Sequence, residues 1–169
     1  QDPDVAVTIT GTAPTITELN AVAAATTGVV TAGISDTAAN LVASLSTAST
    51  DAITITVTDS SADAANLNTI DANGTSVAIV ATSVATITGT AAAIVTAAQS
   101  TGITTAANYA ATVNSGTLSV ANALILDADT TGVITGTVTE GDLTTLKTLT
   151  DENNNNALTI IVTDTSADP

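Results

Sequence analysis

Residues 52–59 read AITITVTD and residues 157–164 read ALTIIVTD. Just upstream, TTGVVTAGISD at 26–36 returns as TTGVITGTVTE at 130–140, 104 positions on. The first pair is 105 positions apart, so one residue is inserted between the two echoes, within Asn153–Asn156. Repetition of this kind constrains the fold more than any other feature here. A small unit cannot bury its own apolar face and has to cover it with the next unit.

A shorter period runs inside the long one. Strand-like segments begin near Val5, Val29, Ala52, Ser76, Tyr109, Val133 and Ala157, most of them 23 or 24 residues apart, with a longer fourth unit of about 33. Each unit opens with an alternating run such as Ile53–Val57, which sends aliphatic residues to one strand face and Thr to the other. A polar corner follows, often acidic, and suits a helix N-cap. An Ala-rich stretch then carries Leu or Ile at helical spacing, as in Leu41 and Leu45, Leu67 and Ile70, or Leu143, Leu146 and Leu149. A turn such as Thr27-Gly28, Asn73-Gly74 or Thr131-Gly132 closes the unit, with Gly or Asn ending the helix. This grammar predicts an α/β solenoid over residues 1–169, read as a single repeat domain. It has a parallel sheet on one wall, short helices on the other, and units of about 23 residues. An all-β solenoid is the alternative, because Thr-rich helices of about ten residues are marginal alone.

Composition removes whole classes of function. The net charge is −15, and Lys147 is the only basic residue, which argues against nucleic acid and anionic lipid as partners. No apolar run is long enough to insert in a membrane. Without Cys there are no disulfides, and without His or Cys the usual nucleophilic triads are out of reach. Carboxylate pairs such as Asp127/Asp129 and Asp151/Glu152 remain, but sugar chemistry usually adds aromatic platforms, and Tyr109 is the only aromatic residue. The expectation is a protein that is not an enzyme. The lack of Met fits a processed protein or a piece of a longer chain.

Two sets of residues are candidate sites. The corner acids Asp36, Asp59, Glu140 and Asp164 recur at like positions, and stacking would bring neighbours to about the 4.8 Å strand spacing. The plain reading is helix capping and solubility. The alternative is Ca2+, a hard cation that takes carboxylate oxygens, although no EF-hand pattern is present. No other cofactor is indicated. Asp63 and Asp168 read as solvated acids of the first helical turn. The outward strand face is the second set. Thr54, Thr56, Thr58, Thr135, Thr137 and Thr139 head a longer series that could bind ice or another surface. Gly33, Ala78, Val80 and Ile161 interrupt that series. Asn153–Asn156 reads as a solvated loop between units, Tyr109 as core, and Pro3, Pro14 and Pro169 as end or corner residues.

The strings TTGVVTAGISDTAANLVASL, ITITVTDSSADAANLNTIDANG and TSVATITGTAAAI resemble the repeat regions of very large exported cell-surface proteins of cyanobacteria. That family includes the giant motility-associated surface protein of marine Synechococcus. The resemblance covers essentially the whole chain and brings no catalytic residues with it. It implies an extracellular, tandemly repeated protein, exported by a type I route into calcium-rich water, with its repeats acting as stalk, filament or surface layer. Its expected partners are itself, through stacking or end-to-end assembly, and cell-surface glycans in adhesion.

Overall fold

The structure is a computed structural model that describes residues 4–73 and 76–164. Gly74, Pro3, Asp168 and Pro169, singled out above, lie outside the described residues. The fold is α/β, with two parallel five-stranded sheets and six helices among the described residues. Neither sheet closes into a barrel.

The first sheet stacks β1 (Val7–Thr8), β2 (Val30–Asp36), β3 (Ala52–Val57), β5 (Ser76–Ala81) and β7 (Ile103–Thr105) in that order. The second stacks β4 (Ser61–Asp63), β6 (Thr86–Thr90), β8 (Ala110–Ser115), β9 (Ile134–Val138) and β10 (Ala157–Ile160). Between them in sequence run helices α1 (Ile16–Ala25), α2 (Ala38–Ser44), α3 (Ala64–Ala72), α4 (Ala91–Gln99), α5 (Val120–Asp129) and α6 (Leu143–Leu146). None is long and apolar enough to cross a membrane.

In both sheets each strand pairs with the strand one short unit further along the chain: Val7 with Val30, Ile34 with Ile55, Ile87 with Ala111, Thr135 with Ala157. The pairing sets side chains in columns. Ile34, Ile55, Ile79 and Ile103 form one, with none more than 7% exposed. Ala62, Ile87, Ala111 and Ile134 form another on the second sheet, all buried. Burying each large aliphatic chain is worth about 1.5–3 kcal/mol, and here each is covered by the units above and below it. Helices add Leu41, Leu67, Ile70, Ile94 and Leu126 to the same core. Buried Ala38, Ala64 and Ala91 open α2, α3 and α4, where a small side chain lets the helix approach the strands. Tyr109, fully buried, fills one layer as the sequence suggested.

Two expectations change. The strands form two parallel sheets rather than one. After β2 the chain enters α2 through Thr37 alone, but after β3 it adds β4, whose Ala62 points into the core, before α3 begins. The longer fourth unit also dissolves, because it contains the short strand β7, and the spacing is then nearly uniform. The passage from first to second sheet takes seven residues from Ile55 to Ala62, and eight from Ile79 to Ile87 and from Ile103 to Ala111. Four steps like that from Ile79 to Ile103 fall short of the long repeat by that same passage. The echoed segments therefore lie on different sheets, β2 and β3 on the first and β9 and β10 on the second.

Local chemistry starts each element. Thr15, Thr37, Asp63, Thr90, Ser119 and Asp142 cap the six helices, each side chain accepting an N–H two or three residues on. Asp63 is exposed, as a solvated acid would be, and is also the cap of α3. In α1, Glu18 reaches back to the Thr15 N–H at 2.9 Å and completes a capping box. Asn73 ends α3 as expected, whereas Thr26, Ser100 and Thr130 end α1, α4 and α5. Thr-x-Gly turns lead into strands: the Thr26 hydroxyl accepts the Gly28 N–H at 3.0 Å and donates to the Val5 carbonyl of the preceding unit at 2.6 Å. Thr130 repeats this with Gly132 at 3.0 Å and the Tyr109 carbonyl at 2.6 Å.

The glycines of these turns are required by closeness. A Cβ on Gly132 would overlap the Tyr109 carbonyl oxygen, and one on Gly28 would lie 2.5 Å from the Val5 carbonyl. A Cβ on Gly33, in the outer face of β2, meets nothing within 4 Å. Gly132→Ala should therefore cost about 1–3 kcal/mol in urea unfolding, while Gly33→Ala should be neutral or stabilising by up to about 1 kcal/mol. Equal effects of the two substitutions would contradict this packing.

Candidate functional site

The corner acids sit where each strand hands over to a helix, but they do not cap their own helix. Asp36, at the end of β2, accepts the Thr37 N–H at 2.7 Å and the Asn40 side-chain N–H at 3.0 Å. Asp59 reaches back to the preceding unit and accepts the N–H of Ala38, the first residue of α2, at 2.7 Å. Glu140 does the same for Val120, the first residue of α5, at 2.6 Å. Asp164 is half-buried, and its own N–H donates to the Gly141 carbonyl at 3.2 Å. A helix start has free N–H groups and a positive dipole end, so a carboxylate arriving from the next unit is well placed there. Asp59 and Glu140 thus serve capping across units, while Asp36 bonds within its own.

They do not form one ladder. Asp36 and Asp59 flank the first sheet, and Glu140 and Asp164 the second. In register, Asp36 lies beside Val57, and Asp59 is two residues further on. Among the described residues, no three Asp or Glu side chains converge as a metal site would require.

Several other carboxylates are also engaged. Asp51, buried, accepts the Val30 N–H at 2.9 Å and the Ala48 N–H at 2.8 Å. Asn156 takes the matching role in the second copy, accepting the Ile134 N–H at 2.9 Å. Asp127, buried, accepts from the Glu152 N–H at 2.9 Å and the Asn156 side chain at 2.7 Å. Asp151 binds the N–H groups of Asn155 and Asn156, which gives the 151–156 loop an internal frame around the left-handed Asn154. Asp129 accepts the Tyr109 hydroxyl at 2.8 Å. Asp127 and Asp129 therefore face different partners. Three surface depressions of about 370, 250 and 260 Å³ lie at Leu45–Asn73, Leu149–Ile160 and Gln99–Asp129, and none is lined by two carboxylates.

The threonine set divides as the acids do. Thr54 and Thr56 lie on the outer face of β3, with Thr58 just beyond it, while Thr135 and Thr137 lie on β9, with Thr139 just beyond. On the first sheet, Thr54 stands between Gly33 and Ala78, and Thr56 between Ser35 and Val80. On the second, Thr88, Thr112 and Thr135 are consecutive in register, and Thr137 pairs with Thr159. The sequence reading names only Thr135 of that column. The register of β6 and β8 is the missing information, and the near-uniform step from strand to strand would have supplied it.

Three titrating groups are shifted for visible reasons, and in the first the hydrogen bonds from the Thr15 backbone N–H and hydroxyl hold the Glu18 carboxyl below its usual range. The Thr145 side-chain and backbone hydrogen bonds hold the exposed Asp142 carboxyl below its usual range, with Asp164 nearby opposing them. Burial, and then the Asp129 hydrogen bond, push the Tyr109 phenol well above its usual range. A raised phenol pKa favours the folded state fully below the unfolded value of about 10, and that contribution is lost as pH rises through the folded value. Tyrosinate absorbance, which has a single source here, should therefore rise only as far-UV ellipticity is lost. Ionisation of a still-folded chain near pH 10 would refute the buried phenol. Asp59→Ala and Glu140→Ala should each cost about 1–2 kcal/mol in urea unfolding, with Asn and Gln replacements intermediate. No loss in either would show that these caps are idle.

No family model, curated protein or solved structure matches the chain.

Proposed function

We propose that this chain is a non-enzymatic structural repeat module: a solenoid segment whose work is to extend, as stalk, filament or surface-layer scaffold of an extracellular bacterial protein. The observation that carries this reading is the near-uniform step from strand to strand, kept by parallel pairing in both sheets. Each unit leans on its neighbours through the same bonds, so length grows by adding units and nothing else in the design has to change. Each unit would add about 4.8 Å. The extracellular setting rests on the resemblance of the repeated strings to giant cyanobacterial surface proteins. The many exposed Thr side chains and the charge of −15 suit a wetted, mutually repelling surface.

Adhesion through Ca2+ or a flat Thr face is the competing reading. The Thr88–Thr112–Thr135 column is the feature that favours a surface-binding role.

Small-angle scattering on a covalent tandem of two copies tests extension. The cross-section should stay constant while the length doubles, and a compact particle would overturn the reading. Melting curves in millimolar calcium and in chelator should coincide, whereas a calcium-raised Tm would move the assignment to calcium-dependent adhesion. Thermal hysteresis on freezing would move it to ice binding.

A further inference from the structure

The joints between successive units are not equally strong. β2 and β3 stay in register from Thr31 beside Ala52 to Asp36 beside Val57. The next joint is held on both sheets, by Ile53–Thr56 against β5 and by Ser61–Asp63 against Thr86–Thr88. The one after is also held on both, by Ile79–Ala81 against Ile103–Thr105 and by Thr86–Thr90 against β8. β8 and β9 then pair at two positions only, Ala111 beside Ile134 and Thr112 beside Thr135, with one separate bridge from Leu118 to Val138. Among the described residues no strand continues the first sheet beyond β7, so the other sheet does not make up the difference.

The cause is written in the chain. β8 ends at Ser115, and Gly116, with a φ of 78°, turns the backbone out of strand geometry into the left-handed region. The same short joint stands one long repeat earlier. Val7 beside Val30 and Thr8 beside Thr31 are the rungs that return as Ala111–Ile134 and Thr112–Thr135, and Gly11, with a φ of 91°, holds the place of Gly116. Side-chain ties cross long and short joints alike. Asp59 takes the Ala38 N–H and the Ser100 hydroxyl donates to Asp71, both at 2.7 Å, across long joints. Glu140 takes the Val120 N–H and the Thr130 hydroxyl donates to the Tyr109 carbonyl, both at 2.6 Å, across the short one. The ladder is what differs.

Tension on a stack runs along its axis, roughly parallel to the hydrogen bonds between strands, and rungs loaded from one end part in turn. Each unit answers only to its neighbours, and with no Cys in the chain nothing staples distant units together. The joint with the shortest ladder therefore opens first. Resting on the stacking reading above, we propose that the chain is an extensible tether whose yield point is the β8–β9 joint, repeated at β1–β2. Under load these joints part while the block from β2 to β8 between them stays folded. Released chain pays out up to about 3.5 Å per residue, against about 4.8 Å for a whole stacked unit, so a small opening takes up a large extension. When the load falls, the strand left in place is the template on which the released one pairs again.

Stretching the chain by its two ends in optical tweezers tests the proposal. The expected record shows low-force steps, one for each short joint, before a higher-force step as the block opens. Thr112→Cys with Thr135→Cys bridges the β8–β9 joint, because the two are register partners on the outer face at a strand spacing that a disulfide can span. Thr54→Cys with Ala78→Cys bridges a long joint in the same way. Oxidised, the first pair should lose one low-force step and regain it in reductant, while the second pair should keep both. Both pairs should keep the parent's circular dichroism, and the parent's own record decides if either misfolds. A single all-or-none rupture would overturn the proposal. So would a first step that the Thr54–Ala78 bridge removes, or low-force steps that the Thr112–Thr135 bridge leaves untouched. None of these outcomes alters the scattering of the tandem, so failure here and failure of the extension reading are separable.

Discussion

The bond between one unit and the next is what everything else in this chain depends on. A single unit caps its own helix but leaves its strand edges and apolar face to its neighbours. Its strands pair only with strands of neighbouring units, its Thr-x-Gly turn rests on a carbonyl of the unit before, and a helix start takes a carboxylate from the unit after. That dependence explains the glycines: Gly28 and Gly132 sit where two backbones approach too closely for a Cβ. It also explains the aliphatic columns, since a residue flanked by its own kind one strand spacing away has to be narrow. Tyr109 is the one exception, and its ring is accommodated because the hydroxyl finds Asp129.

The acidity has a structural use as well. Asp36, Asp51, Asp59, Asp63, Asp127, Glu140, Asp142 and Asp151 each accept at least one backbone N–H. A chain with a single Lys cannot pair these charges with cations inside itself, so the partners are peptide groups: helix starts, strand ends and loops that would otherwise be unsatisfied. Acids spread over many such positions repel one another but are each held locally, and the cumulative repulsion keeps the outer surface from sticking to other acidic surfaces.

Much of this is legible in the sequence. Alternation at Ile53–Val57 marks which residues turn inward, and Leu41, Leu67 and Ile70 mark the buried helix faces, because each of those signals is local and periodic. The corner acids are recognisable as capping groups, but the helix they serve is not. Asp59 binds Ala38, 21 residues back, and Glu140 binds Val120, 20 back, and no local pattern carries such a partner. Strands β4, β6 and β7 escape the sequence reading, β4 and β7 for a related reason. At three residues each they have no visible alternation of their own, and only their register with β6 and β5 makes them strands. The candidate threonines are legible as outward-facing but not as belonging to two walls.

That last gap follows from the mismatch between the two periods. The long repeat is not a whole number of short steps; it exceeds four steps like that from Ile79 to Ile103 by the passage that carries the chain from one wall to the other. Copied sequence therefore arrives on a different sheet from its original. The copy still works because the two walls make the same demands: a parallel neighbour on either side, aliphatic residues inward, Thr outward. What the repeat preserves includes two bonds to the preceding unit, while the corner acids change theirs: Glu140 binds Val120 of the unit before, and its counterpart Asp36 binds Thr37 and Asn40 of its own unit. Thr26 on Val5 becomes Thr130 on Tyr109, and Asp51 on Val30 becomes Asn156 on Ile134, at unchanged distances of 2.6 and 2.9 Å. A joint of this kind needs only the neighbouring unit, so these two survive the change of sheet, whereas a Thr array needs every strand of a sheet to agree and is interrupted at Gly33, Ala78 and Val80.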